Sequence, residues 1–230
     1  MEKGKLYGIS VGPGDPELMT VKAQKMIQSC GVIAVPTTKG GGELALDIAK
    51  GLMSLDDKKI LRLPFLMTRD PEELKKSHLA VAEKIEEELE NGNDVGMLNL
   101  GDISVFSTFS YIMEIVIEHG YEAVVIPGVT SFCASAARLG VSLTSMNAPL
   151  HIIPASGGSL EECLDLPGNK VLMKSGRSIP KVKEELKKRG LYEKSYAVKN
   201  CGLPNEKACF SLDEMSDDPS YFSTIIVKEY

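Results

Sequence analysis

Residues 5–20, KLYGISVGPGDPELMT, decide how the chain is read. Lys5-Leu6-Tyr7-Gly8-Ile9-Ser10-Val11 is an apolar run that reads as a buried strand. Gly12 and Gly14 follow it, and a helical apolar pattern begins at Leu18. A strand, a glycine loop and a helix are the setting of a nucleotide phosphate, but the loop's chemistry points elsewhere. A phosphate cradle needs backbone N–H donors and positive potential. Pro13 and Pro16 have no N–H, and Asp15 and Glu17 are acidic. Glu17 also stands where G-x-G-x-x-G needs its third glycine, and no Gly-Lys-Ser/Thr follows. The loop is expected to serve another ligand.

Outward from this stretch the pattern alternates. Helical spacing covers Val21–Ser29, a short strand Gly31–Pro36, a helix Leu44–Ala49 and a strand Lys59–Leu63. A long charged helix from Pro71 to Asn91 ends at Gly92, with Leu74, His78, Val81, Ala82, Ile85 and Leu89 on its apolar face. A strand at Val95–Leu100, a helix near Ser107–Glu118 and a strand at Ala123–Ile126 complete the first half. Such alternation predicts a parallel sheet with helices on both faces. The second half reads as strands at Leu150–Pro154, Lys170–Lys174, Ser195–Lys199 and Thr224–Lys228, with helices near Ser131–Leu139 and Pro180–Arg189. The fold class expected is α/β: two α/β domains in tandem, residues 1–127 and 128–230, with the junction at Pro127-Gly128.

Composition narrows the function. With 230 residues, 43% of them hydrophobic, the chain can bury a full core. A formal net charge of -6 argues against a general nucleic-acid or anionic-membrane partner, which would want a basic face. The start, Met1–Leu6, lacks the apolar core of a signal peptide, and no apolar run has the length of a membrane span, so a cytoplasmic protein is expected. Cys30, Cys133, Cys163, Cys201 and Cys209 are irregularly spaced and read as reduced thiols. His78, His119 and His151 are scattered, so no protein-bound metal is expected.

In an open α/β sheet, ligands bind beyond the carboxyl ends of the strands. Three loops leave such ends: Gly12-Pro13-Gly14-Asp15-Pro16, Gly101-Asp102-Ile103-Ser104 and Pro127-Gly128-Val129-Thr130-Ser131. Each pairs a glycine with a polar side chain: Asp15, Asp102, or Thr130 with Ser131. The competing reading makes Asp15 and Thr130 or Ser131 simple helix caps, with Pro16 as a first helical residue.

These loops resemble the motifs of the tetrapyrrole methylases, enzymes that use S-adenosylmethionine. Gly8–Ala23 is similar to their first motif, Leu100-Gly101-Asp102 to the start of their second and Pro127–Ser131 to their third. Phe106–Tyr111 and Met173-Lys174-Ser175-Gly176-Arg177 resemble the branch that methylates carbon 20 of precorrin-2 in cobalamin synthesis. Ile103 departs from the pattern, standing where the family usually has proline. The resemblance implies a site in the cleft between two domains. Gly12, Pro13, Gly14, Asp15 and Pro16 would line the tetrapyrrole trough, with Lys39 and Arg177 as further substrate contacts. Leu100, Gly101, Asp102, Val105, Thr130, Ser131 and Lys174 would contact the methyl donor. It also implies a homodimer.

The implied reaction is attack of an electron-rich meso carbon on the donor methyl, with most of the catalysis coming from positioning. Asp102, Asp15 and Lys174 are the candidate catalytic residues, the two aspartates as bases or stabilisers, with solvent as the other proton acceptor. The substrate's carboxylates demand basic partners: Lys174, before Ser-Gly, reads as functional, whereas Arg62 and Arg69 read as surface charge. The acceptor is either precorrin-2 or its cobalt complex, and the lack of a redox centre favours the complex. Two other classes stay open: a methyltransferase of this fold acting on another tetrapyrrole carbon, a modified protein histidine or RNA ribose, and a non-enzymatic binding module. An RNA substrate would need a positive face that this composition lacks.

Overall fold

The computed structural model describes residues 2–37, 43–66, 68, 70–217 and 222–230, which divide into two compact units, Met1–Thr130 and Ser131–Tyr230. In the first unit a five-stranded sheet is built from β1 (Leu6–Ser10), β2 (Val32–Thr37), β3 (Lys59–Pro64), β4 (Val95–Asn99) and β5 (Ala123–Ile126). Its order is β3-β2-β4-β1-β5 and every pairing is parallel. Four helices connect the strands: α1 (Val21–Ser29), α2 (Leu44–Lys50), α3 (Pro71–Glu90) and α4 (Phe109–Glu118).

Side-chain alternation sorts this sheet into two cores. Leu6, Val32, Ala34, Val95 and Met97 pack with Val81, Ala82 and Ile85 of α3 and Phe109, Ile112 and Val116 of α4. Ile9, Ile33, Val35 and Leu98 pack with Ala23 and Ile27 of α1 and Leu46, Ile48 and Ala49 of α2. Burial on both faces is why these strands read as continuous apolar runs. Caps fix the helix starts: Thr20 Oγ1 accepts the Ala23 N–H at 3.1 Å, and Asp70 Oδ1 accepts those of Glu72 and Glu73, with Pro71 in the first turn.

The second unit has α5 (Ser131–Leu139), β6 (Leu150–Pro154), α6 (Leu160–Leu164), β7 (Asn169–Met173), α7 (Ile179–Lys188), β8 (Ser195–Lys199), β9 (Lys207–Cys209) and β10 (Ser223–Val227). Its sheet runs β6-β7-β10-β8-β9, parallel only between β6 and β7. Ile153, Leu172, Ala197 and Ile225 form its core with Leu160 and Leu164 of α6 and Ile179, Val182 and Leu186 of α7. A polar fastening closes the sheet's other end. Lys170 is 1% exposed, and its Nζ lies 2.7 Å from Glu229 Oε2, which also accepts the Gly168 N–H at 2.6 Å.

Candidate functional site

The strand order brings together what the sequence keeps far apart. β4, β1 and β5 are neighbours and all parallel, so the loops beginning at Leu100, Val11 and Pro127 leave one edge of one sheet side by side. They are also bonded to each other. Gly12 and Gly101 form an isolated antiparallel bridge, with the Gly101 N–H donating to Gly12 O at 2.7 Å and the Gly12 N–H to Gly101 O at 3.3 Å. Both glycines sit in the left-handed region, φ +80° and +71°, which residues with a Cβ adopt at a cost. Gly128 is pressed so close that a Cβ there would lie 2.5 Å from Ser10 Cβ and 2.8 Å from Gly101 O. Gly101, by contrast, fronts open space: a Cβ there would meet nothing within 4 Å.

Asp102 joins the second and third loops. Its Oδ2 accepts the Gly128 N–H at 2.7 Å, and its Oδ1 accepts the Ser104 N–H at 2.9 Å and the Ser104 hydroxyl. Burial, at 9% exposure, pushes the carboxyl's pKa up. The Gly128 and Ser104 donors outweigh it, and the net pKa falls below the ordinary aspartate value. Asp102 is therefore an anion at neutral pH.

Residue 103 is held through both its backbone and its side chain. The Ile103 N–H donates to Ser10 Oγ at 3.0 Å. Its side chain, 4% exposed, covers Gly8, where a Cβ would lie 2.4 Å from Ile103 Cδ1 and 2.5 Å from Phe109 Cζ. Further along, Phe106 takes φ +53° and is 40% exposed. Ser107 then pins the loop to β4 by donating to Asn99 Oδ1 at 2.9 Å while accepting the Phe109 N–H at 3.1 Å. Ser10, Ser104 and Ser107 were not among the expected site residues. Ser104 and Ser107 lie in stretches the sequence singles out, the second strand-end loop and Phe106–Tyr111, and Ser10 is a hydroxyl within an otherwise apolar run.

Asp15 does what a cap does: its Oδ1 accepts the Glu17 N–H at 2.9 Å, starting a short 3-10 turn over Pro16–Leu18. The α-helix itself begins after this turn, at Val21 as its spacing predicts, because Thr20 caps it. Gly12, Pro13 and Gly14 are buried, and Asp15 and Pro16 are half-buried. In the first unit Leu100, Val105 and Thr130 are half-buried beside these loops.

In the second unit, Ser131 is the first residue of α5. Lys174 follows β7 in the left-handed region, φ +53°, and burial lowers its ammonium pKa. Arg177 is exposed in the turn after it. Arg62 is an exposed partner of Glu43, with Nη2 at 3.2 Å from Oε2, as expected of surface charge. Lys39 and Arg69 lie outside the described residues. Among the described residues there is no group of three or more His, Cys, Asp or Glu able to hold a metal ion, and no helix long and apolar enough to cross a membrane.

Residues 5–215 match the family of tetrapyrrole (corrin/porphyrin) methylases. A protein of Salmonella typhimurium named cobalt-precorrin-2 C(20)-methyltransferase is 34% identical, over 98% of this chain and 97% of its own length. A Sinorhizobium protein named precorrin-2 C(20)-methyltransferase is 26% identical, over 97% and 95%. Among solved structures, a cobalt-precorrin-4 methyltransferase superposes with a TM-score of 0.76 at 22% identity, covering 97% of this chain and 94% of that one.

Proposed function

The chain belongs to the tetrapyrrole (corrin/porphyrin) methylases, and on that premise we propose that it transfers the methyl group of S-adenosylmethionine to carbon 20 of cobalt-precorrin-2 in cobalamin biosynthesis. The observation that carries this reading is similarity along nearly the whole chain to a protein named for that reaction. The cobalt complex is preferred as acceptor because the relative named for it is 34% identical and the one named for the metal-free substrate 26%.

The donor supplies an electrophilic methyl on a cationic sulfonium. Residues fitted to hold it are those of the bonded loops: Leu100, Gly101, Asp102, Val105 and Thr130, with Ser131 from the second unit. Two observations support the fit. Gly101 leaves open space at the sheet edge, and Asp102 places a full negative charge beside it without a phosphate-type cradle. A carboxylate with a lowered pKa is a weak proton acceptor. Asp102 therefore serves this reaction by holding the loops and offsetting positive charge, and solvent takes the proton that leaves carbon 20. Gly12, Pro13, Gly14, Asp15 and Pro16 line the acceptor's place. Asp15, occupied as a cap, shapes that loop. Lys174, whose charge is already costly to keep, gains by pairing with an acceptor carboxylate. Lys39 and Arg177 are further basic partners in this reading. A two-fold homodimer in the cytoplasm completes it, tested by sedimentation at micromolar concentration.

The deciding experiment supplies labelled S-adenosylmethionine with, separately, cobalt-precorrin-2, precorrin-2, protein and RNA acceptors. Label is expected at carbon 20 of the cobalt complex. Label in protein or RNA alone, or in another tetrapyrrole carbon, would replace this reading.

A further inference from the structure

Ser10 has a task that neither packing nor the strand explains, and we infer that it is a positioning residue for the methyl donor, acting through the 101–105 loop. The inference rests on the reading above, in which that loop holds the donor. Ser10 closes β1, between β4 and β5, and is 0% exposed. Gly8 and Ser10 are two residues apart, so both face the side of the sheet covered by Ile103. Each reads one half of that residue: Gly8 leaves room for its side chain, and Ser10 Oγ accepts its N–H at 3.0 Å.

A buried N–H must find an acceptor, or its desolvation counts against the fold. Any residue at 103 except proline brings such an N–H, and here the acceptor is the Ser10 hydroxyl. Ser10 also sets an upper size limit. With Gly128 already pressed on its Cβ, a bulkier side chain at position 10 would displace the third loop, and Asp102 with it. One small hydroxyl thus seats the second loop directly and leaves room for the third. Ile103 and Ser10 form a coupled pair that does the work of a proline ring, fixing the turn by a hydrogen bond instead of a locked φ.

The test uses the full chain with Ser10→Ala, Ile103→Pro and the double variant. Amide exchange at Ile103 is measured first, in the wild type. Ser10→Ala should speed that exchange by at least about tenfold, the scale of one buried hydrogen bond lost. It should weaken S-adenosylhomocysteine binding, and raise the donor KM, by roughly five- to tenfold, because only the seated loop is competent. The acceptor KM should stay within about twofold, a split that general destabilisation would not give. In the Ile103→Pro background, which has no N–H to satisfy, Ser10→Ala should add nothing to the loss of donor affinity. Unprotected Ile103 in the wild type would overturn the inference, even if the variants do not fold. So would donor affinity unchanged by Ser10→Ala, or equal penalties in both backgrounds. A wild type that protects Ile103 yet binds no donor would overturn the donor reading, leaving Ser10 as a structural anchor only.

Discussion

Gly128 donates its N–H to Asp102 Oδ2 at 2.7 Å, so an anion in the second loop fastens the backbone of the third. The carboxylate's remaining oxygen is taken by Ser104. An aspartate engaged in this way is fixed in both position and charge. It is suited to hold a binding surface still and poorly suited to exchange a proton in each turnover.

Asp102→Ala is therefore expected to destabilise the protein by about 1–3 kcal/mol, leaving the Gly128 and Ser104 N–H groups without their acceptor. Donor affinity should fall with it, measured by calorimetry. The pH dependence follows from the lowered carboxyl pKa. Stability contributed by Asp102 is fully present above its ordinary value of 3.8 and is lost as pH falls through the lower folded value. The difference in thermal midpoint between wild type and Asp102→Asn should thus be constant near neutrality and shrink only in strong acid. An inflection in kcat near neutral pH that vanishes in Asp102→Asn would show instead that Asp102 exchanges the proton.

Donor binding should stabilise the folded chain. At about 100 times its Kd, S-adenosylhomocysteine should add roughly 2.7 kcal/mol by mass action, with one molecule bound per chain. Differential scanning calorimetry checks the midpoint and titration calorimetry the stoichiometry. Unchanged midpoint with no saturable heat would remove the donor assignment.

Much of the scaffold was legible in the residues. α1 was placed at Val21–Ser29 by its spacing, and β5, β6, β8 and α5 fell where apolar runs and turn residues put them. β9 has three residues, Lys207–Cys209, and α6 five, Leu160–Leu164, too few for either periodicity to show. Strand order was not legible, because parallel pairing depends on contacts across the chain such as Leu6 with Val95 and Ala123. That order alone makes neighbours of the three loops. Glycine and aspartate marked where those loops turn, but the bonds that join them were hidden. Ser10 and Ile103 are 93 positions apart, and a serine that closes a strand gives no sign of the loop N–H it accepts.

The fastening of Lys170 to Glu229 gives a prediction about stability alone. Lys170 is buried, and the Glu229 carboxyl is held below its ordinary pKa by the Lys170 ammonium first, then by the Gly168 N–H, against burial. Glu229→Gln is expected to cost about 1–3 kcal/mol, since it leaves a buried ammonium without its counter-charge. The contribution is present above the ordinary glutamate value of 4.5 and lost as pH falls through the folded one, so the variant and wild type should converge in acid. Urea unfolding at neutral and acid pH measures both, and equal free energies at neutral pH would show that the pair adds nothing.

Lys174 combines two features that one substitution would confuse. Its φ of +53° strains any residue with a Cβ, and burial works against its charge. Lys174→Gly should relieve the first and Lys174→Ala should not, so the glycine variant is expected to be more stable than the alanine variant by about 1 kcal/mol. Because the folded pKa lies below the ordinary lysine value of 10.5, stability from this group rises as pH climbs between the two, and both variants should lose that alkaline rise. Both remove the ammonium, so both should lose the same acceptor-dependent rate. The expected loss in kcat/KM for the tetrapyrrole is on the order of 2–4 kcal/mol of transition-state stabilisation, with donor affinity nearly unchanged. Steady-state kinetics beside chemical unfolding separates the two effects. Equal stability of the variants would mean that the backbone there is not strained, and wild-type kinetics in both would remove Lys174 from the site.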